Sequence, residues 1–196
     1  QLIILSLLIV LISCKEDKKT TNDDVEKTEE VKKEEKNPIV VEDGKTKKYL
    51  SIRLEPKSNS KASGKMYFEE VDGVVTLEAK FIGLEPGTHA VHIHEKADCS
   101  SPDGKSAGGH WNPTFESHGK WGDENGYHKG DIGNIEADES GQAKLIMKTD
   151  EWCIGCGDEA KDILGKSIIV HQGADDFVSQ PTGNAGGRIS CGGIIE

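Results

Sequence analysis

VHIH at residues 91–94 (Val91-His92-Ile93-His94) alternates apolar and imidazole side chains. Alternation with a period of two marks a half-buried strand. Side chains at i and i+2 share one face of a strand, so His92 and His94 point the same way. His89, three residues before His92, falls on the opposite face and reads as a hydrogen-bonded packing residue rather than a ligand. Two imidazoles fixed on one strand make half a ligand set. H-x-H alone does not specify a metal, because many half-buried strands carry polar residues on their outer face.

The surroundings of this strand add the rest. Six of the seven histidines lie between His89 and Asp131, and the seventh is His171. After VHIH come Gly109-His110-Trp111-Asn112-Pro113, then His118, then His128-Lys129-Gly130-Asp131. Three histidines and an aspartate in a Gly- and Pro-rich loop suffice to saturate one tetrahedral ion, the closed arrangement of a structural zinc site. His92, His94 and His171 form a second, imidazole-rich set with an open position, which suits copper.

Working outward, the chain reads as strands. Tyr49–Leu54 alternates. Gly64–Glu70 and Val74–Phe81 flank an Asp72-Gly73 turn and form a hairpin. Leu84–Gly87 is a turn before Thr88–His94. Ile132–Ala137 and Ala143–Lys148 are joined by a turn at Asp138–Gly141. Ser167–His171 is a short buried strand, and Arg188–Ile195 closes the chain. The long segments 95–129 and 172–187 carry little periodicity, and loops of that length in a compact domain are usually functional. One helical turn is expected over Asp158–Ile163. Eight strands, 23 glycines and 5% aromatic residues describe a loop-rich all-β domain.

The formal net charge of −11 argues against a nucleic-acid partner. Residues 1–12, QLIILSLLIVLI, are apolar and uncharged, too short for a confident membrane span and suited to a signal-peptide core. Residues 15–47 hold 9 Lys and 11 Asp or Glu among 33 residues. Such a segment buries too little surface to offset its ordering entropy and is expected to be a disordered tether. Five cysteines, Cys14, Cys99, Cys153, Cys156 and Cys191, leave one without an intrachain partner. The four beyond Cys14 allow three pairings.

The ordered series H-x-H, G-G-H-W-N-P, His118, H-x-G-D, V-H-x-x-A-D-D and G-N-A-G-x-R-x-x-C-G resembles the copper/zinc superoxide dismutases over about residues 48–196. The resemblance implies a flattened eight-stranded Greek-key β-barrel, an immunoglobulin-like sandwich, with two long functional loops. It implies copper held by His92, His94, His110 and His171, and zinc held by His110, His118, His128 and Asp131, with His110 shared between them. Asp175 matches the aspartate tying one ligand of each metal, and Arg188 the arginine that attracts the anion. Lys161 and Lys166 are weaker candidates for the same attraction and read better as solvated charges. Cys99 and Cys191 match the family disulfide. Cys153 and Cys156 depart from the family pattern; a second disulfide is favoured, with a redox pair and a metal-acquisition site as rivals. The implied reaction is disproportionation of superoxide to oxygen and hydrogen peroxide, with His110 and Arg188 as catalytic residues. A metal-holding or surface-display module without turnover is the alternative. Leu11-Ile12-Ser13-Cys14 resembles a bacterial lipobox. That implies a partial signal peptide over 1–13, a lipidated Cys14 heading the tether over 14–47, and a domain over 48–196. The expected location is lipid-anchored in a bacterial cell envelope, periplasmic or surface-exposed. A homodimer is left open.

Overall fold

A computed structural model describes residues 39–42 and 45–196, with side-chain surroundings from residue 46 onward. The expected signal segment, Cys14 and most of the tether lie outside the described residues. The strands are β1 (Ile39–Glu42), β2 (Lys45–Pro56), β3 (Ser63–Val71), β4 (Val74–Ile82), β5 (Gly87–His94), β6 (Gly133–Ala137), β7 (Ala143–Thr149), β8 (Ser167–His171) and β9 (Arg188–Gly193). Every pairing is antiparallel, in the order β6-β5-β8-β9-β2-β3-β4-β7, with β1 added beside β2. β6 and β7 pack together without a ladder between them, so the barrel is nearly closed.

The expected eight strands are all present. Among the described residues strand structure begins at Ile39, where β1 pairs with Lys45–Lys48 at the start of β2. The Asp72-Gly73 turn has φ of 51° and 77° at its two central residues and brings Val71 opposite Val74. Positive φ at both positions is the turn whose twist matches a hairpin. The turn after Asp158 is a single one, with Lys161 and Asp162 N–H donating to the Asp158 carbonyl.

The core follows the alternation. Leu50, Ile52 and Leu54 of β2, Met66 and Phe68 of β3, and Val75, Leu77, Ala79 and Phe81 of β4 pack against Val91 and Ile93 of β5 and Ile168 and Val170 of β8. Each large side chain fully buried this way contributes about 1.5–3 kcal/mol. Because Val91 and Ile93 face this core, His92 and His94 face outward. They are nevertheless fully buried, because the two long loops cover them.

Candidate metal centre

β5 presents His92 and His94 side by side, and β8, its neighbour, ends in His171. A register shift between Val170 and His171 breaks the β8–β9 ladder there. Irregularities of this kind re-aim a side chain. His110 bridges to His94, which brings the long loop against β5. Gly130 makes the closest approach. A Cβ there would lie 2.3 Å from the Ile93 carbonyl oxygen, so the loop can lie on β5 only with glycine at this position.

Two buried sets of ligand-capable atoms result: His92, His94, His110 and His171, and His110, His118, His128 and Asp131. Within each set the atoms lie within 4.8 Å of one another. His110 belongs to both, its ring 4.0 Å from that of His92 and 5.4 Å from that of His118.

Most of these rings are fixed through the nitrogen that faces away from the set. His92 Nε2 donates to Asp175 Oδ2 at 2.8 Å, and His118 Nε2 to Asp175 Oδ1 at 2.9 Å. His94 Nδ1 donates to the Gly108 carbonyl at 3.0 Å, and His171 Nδ1 to the Gly186 carbonyl at 3.3 Å. Ties of this kind set tautomer and ring direction. Buried nitrogens without a hydrogen bond remain: His92 Nδ1, His110 Nε2, His118 Nδ1 and His128 Nδ1. The last two lie 3.0 and 3.2 Å from Asp131 oxygens but off the direction of a hydrogen bond. His94 Nε2 and His171 Nε2 face each other at 3.4 Å, although their protons are on Nδ1. Buried orphans cost free energy and are rare. Lone pairs converging on common points fit cations, and imidazole with one carboxylate fits copper and zinc.

The electrostatics divide the histidines. Burial pushes His171 down to about 3 and His110 down to about 4, and lowers His94 well below the usual value, with neighbouring imidazoles adding to the effect. These rings are neutral at pH 7, as ligands must be. Burial opposes charge on His118 too, but the carboxylates of Asp131 and Asp175 outweigh it and raise His118 to about 9. Burial would raise both aspartates, yet the surrounding imidazoles hold them well below the carboxylate range.

Arg188 Nη1 donates to Gly104 O at 2.8 Å and Nη2 to Gly108 O at 2.7 Å. Its charge is felt at His94 and His171. Cys99 and Cys191 are joined, so the loop that receives Arg188 is bound to β9, which carries it. Cys153 and Cys156 are also joined. His89 is the buried packing residue expected, between the carbonyls of His171 (2.9 Å) and Glu85 (2.8 Å). Lys161 and Lys166 do not join the centre: Lys161 donates to the Asp150 carbonyl, and Lys166 lies over the Trp111 ring.

Several supporting residues escaped the sequence reading. Asn134 exchanges two hydrogen bonds with the Asp175 backbone, and Gln180 two with the His118 backbone. At Gly183 a Cβ would lie 1.8 Å from Asp175 Oδ1. These are contacts between distant segments, with no local signal beyond the glycine itself.

A profile of the copper/zinc superoxide dismutase (SODC) family matches residues 62–194, and the chain belongs to that family. It is 37% identical over 115 residues to the superoxide dismutase-like protein YojM of Bacillus subtilis (strain 168), covering 57% of this chain and 58% of that protein. It is 39% identical over 137 residues to the extracellular superoxide dismutase [Cu-Zn] of Caenorhabditis elegans, covering 67% and 60%. It is 37% identical over 134 residues to superoxide dismutase [Cu-Zn] 2 of Aquifex aeolicus (strain VF5), covering 67% and 78%. The chain thus spans less than two thirds of the length of the first two relatives. The crystal structure of a SOD-like protein from Bacillus subtilis superposes with a TM-score of 0.65 at 32% identity, over 74% of this chain and 97% of that one. A double mutant of a SOD-like protein from the same organism gives 0.66 at 33%, with the same coverage.

Proposed function

We propose that this chain disproportionates superoxide, two anions and two protons giving oxygen and hydrogen peroxide. The observation that carries the reading is the pair of convergent buried ligand sets sharing His110. Copper held by His92, His94, His110 and His171 would supply a reversible one-electron couple, while zinc held by His110, His118, His128 and Asp131 has no redox chemistry to add. His110 Nδ1 lies 2.9 Å from Asp131, so Nε2 is the atom that takes up and returns a proton beside the reacting anion. Asp175 holds His92 and His118 in place together. Arg188, with two N–H groups tied to loop carbonyls, keeps the others for the anion.

Residues 48–196 carry 15 Lys or Arg and 24 Asp or Glu, so the whole domain repels an anion. At physiological salt the Debye length is about 8 Å, which screens the distant charges and leaves the nearby guanidinium dominant. The full ligand complement speaks against a display module without turnover. The lipobox-like run ending at Cys14 supports our placing the chain on a bacterial envelope membrane, held there by lipid.

The test measures superoxide decay and metal content on one sample, for wild type and Arg188→Gln across a salt series. The copper- and zinc-loaded wild type should accelerate decay and the metal-free protein should not. Arg188→Gln should keep its metals, lose about tenfold in rate and show a changed salt slope, the scale expected of electrostatic focusing. Full loading without accelerated decay would refute the proposed activity.

A further inference from the structure

The segment Trp152-Cys153-Ile154-Gly155-Cys156 leaves β7 and turns back towards β8. Its disulfide joins sulfurs in unlike surroundings: Cys153 is buried at 7% exposure, and Cys156 is exposed. In the other disulfide Cys191 is fully buried and Cys99 half-buried. Thiol–disulfide exchange needs access to the attacked sulfur. Cys156 offers that access, and the buried Cys153 is the leaving group. Asp162 lies close to both cysteines. Its two oxygens already accept from the Gly155, Gly157 and Leu164 N–H groups at 2.9, 2.8 and 3.1 Å. Asp162 therefore organises the turn, which speaks against it as the third ligand of a metal held there.

The same segment braces the loop of the second ligand set. Trp152 Nε1 donates to the Lys129 carbonyl at 2.9 Å, between His128 and Asp131. Glu151 accepts from Tyr127 Oη at 2.6 Å and pairs with Lys129 Nζ. Trp121 meets the Trp152 ring edge-on at 5.3 Å.

We infer that Cys153–Cys156 is a redox-labile disulfide that an external dithiol opens by attack on Cys156, and that its opening loosens the brace on the loop carrying His118, His128 and Asp131. The thiolate of the dithiol bonds to Cys156 Sγ, the protein S–S bond breaks, and Cys153 leaves as a thiolate and takes up a proton. The second thiol then attacks the mixed disulfide and releases Cys156. The dithiol ends oxidised to a disulfide, and the protein gains two electrons and two protons. The bracing half rests on reading those three residues, with His110, as the zinc-holding set.

The experiment titrates the copper- and zinc-loaded full chain with dithiothreitol, quenches in acid, alkylates, and maps the modified cysteines by peptide mass. Cys153 and Cys156 should become alkylated at dithiol concentrations about tenfold below those that open Cys99–Cys191, because Cys156 is an exposed sulfur whereas the most accessible sulfur of the other pair, Cys99, is half-buried. After that selective step, zinc release to a chelator should quicken by about tenfold, the low end of what supporting residues contribute to metal retention. A chain with Cys153→Ser and Cys156→Ser should release zinc at the faster rate with or without dithiol. Simultaneous or reversed opening of the two disulfides would overturn the redox site. Unchanged zinc release in the reduced wild type would overturn the bracing, without dependence on how the variant folds. An oxidised chain that takes up no zinc would sink the zinc reading and the bracing with it, while the alkylation order still decides the redox site. An extra equivalent of metal on the reduced chain would make the pair a ligand site instead.

Discussion

The sheet of β2, β3, β4 and β7 and the face formed by β5, β8 and the long loops are buried to similar degrees by different means. In the first, apolar side chains alternate along every strand and meet in one core, and the ladders run unbroken. In the second, seven polar side chains around His110 are buried, and their order comes from hydrogen bonds to carbonyls and to Asp175. The first needs nothing from outside the chain. The second leaves buried nitrogens without a hydrogen-bond partner, in sets that could hold cations. The free energy of metal binding is then partly the free energy of ordering that face.

Cutting the first region should have the largest effect. Leu77 is fully buried in β4, and Leu77→Ala should cost about 2–5 kcal/mol in unfolding free energy. Denaturant unfolding should show the same loss in metal-free and metal-loaded protein. A loss seen only in the loaded form would mean that the two regions are not held independently.

Cutting the second region should act on metals instead. Asp175→Asn loosens His92 and His118 together and should weaken copper retention by about 10–100-fold, with a smaller effect on folding. A competition titration with unchanged copper affinity would remove Asp175 from this role.

Acidity should sharpen the contrast more gently. In the metal-free protein His171 and His110 have folded values of about 3 and 4, below the ordinary histidine value of 6.5. Between those values and 6.5 the unfolded chain binds more protons, so stability falls as pH drops through that window. His118, raised to about 9, works the other way: its contribution is complete below 6.5 and is lost as pH rises through 9. Unfolding midpoints at pH 5, 7 and 9.5 should therefore be highest near 7. A midpoint rising steadily towards pH 5 would show that His110 and His171 are not held neutral.

The same contrast decides what was legible in the sequence. The strands of the first region announce themselves by alternation, and the hairpin by Asp72-Gly73. The histidines of the two sets stood out in the sequence because six of the seven fall between His89 and Asp131, with His171 at the end of a separate strand. Asn134 and Gln180 were not, since each acts on a segment far along the chain through backbone groups that any residue supplies. β1 was missed because its four residues, Ile39–Glu42, are too few to show a period of two beside a charged run. The brace from Glu151 and Trp152 onto Lys129 was hidden for the same reason as Gln180: it joins two loops that have no period.

The central claim about the second region is that one imidazole, His110, serves both ligand sets. Magnetic resonance on protein carrying copper in the first set and cobalt in place of zinc in the second tests it directly. The wild type should show the two ions magnetically coupled, and His110→Ala should abolish the coupling while each set still takes up its ion. Coupling that survives in His110→Ala, or none in the fully loaded wild type, would contradict the shared ligand.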